Sequence, residues 1–191
     1  MEEKEYKITV KNIFKHLHTI NKYRFKVFVL CLKVGIPIQG LLHDLSKYSY
    51  EEFWESVKYY QGDYSPIKNC KKEKEYSKAW LHHKGRNKHH YEYWYDYNLI
   101  EPCPIIPFKY VLEMLCDSFA AGMTYQGKKW TKEYQLSYWN KVKKEAKIRK
   151  EIKEVLTEVY ENVAEKGIKE GLKRKTVKEL YQKNVIDKTN K

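Results

Sequence analysis

Gly40-Leu41-Leu42-His43-Asp44-Leu45-Ser46-Lys47 is the stretch on which the reading of this chain turns. A histidine and an aspartate stand side by side after two leucines, and a lysine follows three residues after the aspartate. Two apolar residues directly before His43 predict a buried helix end, where an ionised carboxylate is costly unless a cation compensates it. A divalent metal would supply that cation.

The pattern around this stretch is helical. Ile13, Leu17, Ile20, Val27, Cys31 and Val34 recur at spacings of three, four and seven, which predicts a first helix from Ile8 to Val34, ended by Gly35 and Pro37. His16 shares this apolar face, whereas His18 is turned about 200° away from it. On such a face His16 is either a hydrogen-bonded core residue or an inward-facing ligand. Ser49-Tyr50-Glu51-Glu52 has the form of a capping box and predicts a helix from Tyr50 to Gln61, stopped by Gly62. Ser65-Pro66 can begin another helix, with Lys68 to Tyr76 a solvated turn or short helix. Pro102 to Pro107 reads as a connector and Lys109 to Met123 as a helix, on which Asp117 is bracketed by Met114, Ala120 and Ala121. A carboxylate there has the same need for compensation as Asp44.

Between these elements the histidines concentrate. His82, His83, His89 and His90 are four of the seven in the chain, and they flank Lys84-Gly85-Arg86-Asn87-Lys88. Neutral imidazole is the commonest metal ligand, and an adjacent pair can supply two donors where a helix ends and the chain changes direction. Arg86 and Lys88 would make a clamp for a phosphoryl group, arginine by paired hydrogen bonds and lysine as a point charge. Asn87, His89 and His90 could equally orient ligands from behind.

The ordered series His16, His43-Asp44, His82-His83 and Asp117, with Lys47 after the central pair, resembles the HD-domain superfamily of metal-dependent phosphohydrolases. More narrowly, residues 40–47 together with 79–90 are similar to a bacterial and phage family of short HD-like proteins of unassigned function. The resemblance covers roughly Lys11 to Tyr125. It implies an all-α, HD-domain-like helical bundle in which His16, His43, Asp44 and Asp117 converge on one metal. His82 and His83 would hold a second ion through a bridging Asp44. Mixed imidazole and carboxylate ligands suit one or two divalent transition-metal ions, Fe, Mn, Zn, Ni or Co. The family tends to carry another histidine seven residues after the first, two turns along the same face, where this chain has Tyr23. The implied activity is hydrolysis of a nucleotide or other phosphoester, with Asp44, Lys47 and Arg86 as the catalytic groups and a small phosphorylated substrate. Three other classes stay open: a di-iron oxygenase-type HD protein, a non-catalytic module that binds a polyanion or a protein, and a storage or structural role.

Composition sets the remaining expectations. A chain of 191 residues fits one domain plus an appendage, here 1–139 as the HD-like metal-binding domain and 140–191 as a basic helical extension. In the extension Ile148, Ile152, Val155, Leu156, Val159 and Val163 form an amphipathic stripe before Gly167 and Gly171, and the residues after Asn184 are expected to fray. That stripe can dock on the core, pair with a subunit or leave its charge to an anionic partner. The net charge of +13 favours polyanions, but alternating Lys and Glu predict only weak nucleic-acid binding. Four scattered cysteines imply no zinc knuckle or disulfide framework. The acidic start, and the lack of any run near the roughly 18 to 20 apolar residues of a membrane span, predict a cytoplasmic protein without a membrane segment.

Overall fold

Thr9 opens the first helix by accepting the amide of Asn12 at 3.1 Å, and from there α1 runs over Val10–Lys33. It buries His16, Ile20, Tyr23, Val27, Leu30 and Cys31 on one face. In the computed structural model, which describes residues 6–62, 64–98 and 103–189, all regular structure among those residues is helical. The protein is an all-α bundle. Its further helices are α2 (Pro37–Leu42), α3 (Tyr50–Tyr59), α4 (Pro66–Lys74), α5 (Lys78–Arg86), α6 (Phe108–Gln126), α7 (Tyr134–Val142), α8 (Lys150–Gly171) and α9 (Arg174–Tyr181). Pro102 of the proline connector lies outside the described residues.

The chain reverses sharply between α1 and α2, and Gly40 makes that reversal possible. A Cβ on Gly40 would stand 2.5 Å from Cys31 Cβ and 3.1 Å from Phe28 Cα, so no side chain fits between the helices. Arg24 then ties the end of α2 to α1, its guanidinium donating to the carbonyls of His43 at 2.7 Å and Leu41 at 2.8 Å. The helix end is buried through Gly40, His43 and Asp44, not through the two leucines, which are 62% and 58% exposed. The expected buried helix end is present, but the two leucines that suggested it do not supply the burial. Steric closeness at a glycine, rather than apolar burial, brings this end against α1.

Helix α6 lies at the centre, with Val111, Leu112, Leu115, Cys116, Phe119 and Ala120 buried against α1 and α8. The stripe predicted for the C-terminal region is buried as a whole, and α8 bends at Gly167, whose φ is 78°. One apolar cluster joins Val27 and Leu30 of α1, Leu115 of α6, Trp139 of α7, Ile152 to Val163 of α8 and Val185. The region after residue 139 therefore shares its core with the region before it. Fraying after Asn184 is also corrected. Helical structure continues through Thr189, Val185 is fully buried, and Lys188 meets Glu154 at 2.6 Å. A buried valine anchors that segment by the area it removes from water. Among the described residues no helix is long and apolar enough to cross a membrane.

Candidate metal centre

His43 and Asp44 reach the interior because the backbone turns at Asp44, which takes the left-handed conformation with φ 52° between α2 and the short 3₁₀ turn Leu45–Tyr48. Aspartate tolerates that region better than most residues. The turn lets two consecutive side chains face one centre, which a continuing helix would forbid. Asp117, on α6, and Tyr23, on α1, reach the same centre.

The Tyr23 hydroxyl lies 3.0 Å from His43 Nε2 and 3.1 Å from Asp44 Oδ2, and it donates to Asp117 Oδ1. Asp44 Oδ2 also meets Lys47 Nζ at 3.2 Å, while Asp44 Oδ1 faces Nε2 of His83 and Nε2 of His89, each at 3.3 Å. Asp44, His83, His89 and His90 each present an atom within 4.8 Å of the others, and so do His43, His89 and Asp117. His43, Asp44, His83 and His89 are almost wholly buried.

Two glutamates stand behind the histidines. Glu52, on α3, receives His83 Nδ1 at 2.6 Å and His82 Nδ1 at 2.7 Å. Glu113, on α6, receives His43 Nδ1 at 2.9 Å and lies 3.3 Å from His89 Nδ1. At His83 and His89 a carboxylate on Nδ1 holds the proton there and leaves Nε2 with a bare lone pair, the arrangement found behind metal-binding histidines. At His43, by contrast, burial is outweighed by Asp44, Asp117 and Glu113, which raise its pKa well above the ordinary value. Atoms left without a hydrogen-bond partner include Asp44 Oδ1 and Nε2 of His83, His89 and His90. Four atoms of metal-ligand type thus lie buried without a hydrogen-bond partner, an arrangement that a cation would satisfy.

The charges follow this geometry. Burial opposes the negative charge of Glu113, yet hydrogen bonds from His43 and His89 hold its carboxyl down at about 2. Burial likewise opposes ionisation of Asp44 and Asp117, and the neighbouring histidines overcome it, with Lys47 helping at Asp44. His90 is pushed well below its ordinary value by burial and by His89, and His83 is lowered by burial and by Lys47. Neutral imidazole is the form that binds metal. Burial and the carboxylates of Asp117 and Asp44 raise the Tyr23 phenol well above its ordinary value, so it keeps its proton.

Of the residues singled out from sequence, the structure brings together His43, Asp44, His83 and Asp117, with Lys47 at the rim. His16 stands apart from both groups, packed against the rings of Phe53 and Tyr60 at 5.5 and 5.3 Å. Burial lowers its pKa to about 4. His82 is partly exposed and turned onto Glu52, and Arg86 is exposed at the last position of α5. The reason is helical geometry. The pair at 82 and 83 lies inside α5, where successive side chains diverge by about 100° and only one can face the centre. The pair at 89 and 90 lies beyond the helix, where both can.

Glu52, Glu113 and the direct participation of His89 and His90 were not read from the sequence. Glu113 left a signal, since it precedes Asp117 by one helical turn and shares its face. Glu52 was concealed by its position. Ser49 does cap α3, accepting the Glu52 amide at 3.4 Å, but the Glu52 side chain turns inward to the histidines.

No curated protein and no solved structure matches this sequence significantly. The sequence model of a family of unknown function, DUF5662, matches residues 12–162, which is most of the chain, and the chain belongs to that family.

Proposed function

We propose that this protein is a metal-dependent phosphohydrolase of HD type, acting on a nucleotide or another small phosphoester. The observation that carries the reading is the convergence of Asp44 Oδ1 with Nε2 of His83, His89 and His90, all buried and all without a hydrogen-bond partner. Three imidazoles and a carboxylate fit Fe, Mn, Zn, Ni or Co. When bound, such an ion supplies a Lewis acid that polarises a phosphoryl oxygen and lowers the pKa of water.

The chain's own groups supply the rest. Glu52 and Glu113 orient the rings and fix their tautomers. Lys47, held 3.2 Å from Asp44 and a quarter exposed, extends from the buried charges toward solvent, where it can neutralise an incoming phosphate. The net charge of +13 draws anionic substrates to the surface. The alternating ion pairs of α8 and its neighbours, such as Lys183 with Glu158 and Lys188 with Glu154, support weak rather than tight nucleic-acid binding.

Purified protein, loaded in turn with Mn(II), Fe(II), Co(II), Ni(II) and Zn(II), is to be assayed for phosphate release from nucleoside mono- and triphosphates and from p-nitrophenyl phosphate. Release with at least one metal, lost in Asp44→Ala, is expected. Metal bound without release from any of these substrates would overturn the hydrolase reading.

A further inference from the structure

The two groups of ligand-type side chains differ in one respect. In the group of Asp44, His83, His89 and His90, the converging atoms have no hydrogen-bond partner. In the group of His43, His89 and Asp117, His43 Nε2 and Asp117 Oδ1 both meet the hydroxyl of Tyr23. One position calls for a cation, and the other already contains a polar atom. We propose that the centre holds a single ion, bound by Asp44, His83, His89 and His90, and that the Tyr23 hydroxyl takes the place a second ion would occupy between His43 and Asp117. This inference rests on the reading of the cluster as a metal centre.

Two constraints carry it. An ion of this class lies about 2.0 to 2.2 Å from each nitrogen or oxygen ligand. A hydroxyl oxygen that contacts His43 Nε2, Asp44 Oδ2 and Asp117 Oδ1 at once stands among the same three atoms that an ion would have to draw together. The phenol cannot simply swing out. Tyr23 belongs to the apolar core, and Lys47 Nζ lies 5.4 Å from its ring centroid on the way to solvent.

The second constraint is His89, which is common to both groups. Its Nδ1 faces Glu113 at 3.3 Å, so it has one nitrogen, Nε2, to offer. An ion in the unpartnered group takes that lone pair. A second ion would be left with His43, Asp117 and the far oxygen of Asp44, and would have to displace Tyr23 to reach them.

Histidine at position 23 reverses the situation, because a shorter ring leaves room and a bare imidazole nitrogen is a ligand where the protonated phenol is a donor. The test is metal counting on the full chain loaded with Mn(II), by elemental analysis of desalted protein and by EPR. The expected result is one Mn per wild-type chain with an uncoupled signal, and two per chain with an exchange-coupled signal in Tyr23→His. Two coupled ions in the wild type would overturn this inference and leave the metal-centre reading standing. Tyr23→His that folds, judged by its far-UV circular dichroism, and still holds one ion would overturn the role given to Tyr23. No bound metal in the wild type would remove the metal-centre reading itself. If Tyr23→His does not fold, the wild-type count and its EPR signal decide alone.

Discussion

Glu52 on α3 accepts a hydrogen bond from Nδ1 of His83 on α5 at 2.6 Å, which keeps the ring proton on Nδ1 and leaves His83 Nε2 bare and 3.3 Å from Asp44 Oδ1. This bond couples three elements of the fold to one lone pair. Glu52→Gln should keep the helical content and weaken metal affinity by about 10- to 100-fold, the usual effect of losing a carboxylate behind a ligating histidine. Isothermal titration with Mn(II) measures it. Unchanged affinity would mean that the ring needs no such partner.

The histidines should separate cleanly by position. Asp44→Ala and His83→Ala remove atoms from the unpartnered group and should abolish metal retention through desalting. His16→Ala and His82→Ala should retain it, since His16 packs on Phe53 and Tyr60 and His82 binds Glu52. Elemental analysis of the four variants checks the division, and loss of metal in His16→Ala would contradict it.

His16 should make stability depend on pH. Its folded pKa of about 4 lies below the ordinary value of 6.5, so the unfolded chain binds the proton more readily. The stability it contributes is present above about pH 6.5, falls as pH drops toward 4, and is gone below that. Its size is about 3.5 kcal/mol at most, from the drop from 6.5 to about 4 at roughly 1.4 kcal/mol per pKa unit. Urea unfolding in the presence of a chelator should show a shallower decline between pH 7 and pH 4 for His16→Phe than for the wild type. Parallel curves would show that His16 does not titrate with folding.

Gly40→Ala should disturb both the fold and the site. The added Cβ would meet Cys31 Cβ at 2.5 Å, and relieving that contact pushes α2 away from α1. Overpacking of this kind costs about 1 to 3 kcal/mol. Because α2 leads directly into His43 and Asp44, metal affinity should fall together with the urea midpoint. A destabilised variant with wild-type affinity would show that the turn at Asp44 is held independently of α2.

Binding to DNA should be weak. The basic side chains of the C-terminal region are partly engaged, as in Arg149 with Glu151, Lys183 with Glu158 and Lys188 with Glu154. Titration of labelled duplex and single-stranded DNA at two salt concentrations should show binding that disappears above physiological salt, with a duplex slope of about −0.9 per phosphate neutralised. Tight, salt-resistant binding would favour a nucleic-acid-binding module instead.

The course of α1, α6 and α8 and the inward faces of those helices are legible in apolar spacing, because a helix that must bury one side repeats its apolar residues every three or four positions, while the all-α class rests on those helices together with the resemblance to the HD superfamily. Asp44 and His43 are legible for a related reason, since a charge pair beside a helix end demands compensation. The choice between His82 and His83, and the recruitment of His89 and His90, depended on where α5 stops relative to each pair. Glu52 could not be separated from a helix cap until α3 was placed against α5, because the same residue at the same position serves either purpose. Leu41 and Leu42 misled for the converse reason. Burial of that turn comes from the contact of Gly40 with Cys31, a distance between two helices that spacing along one of them does not record.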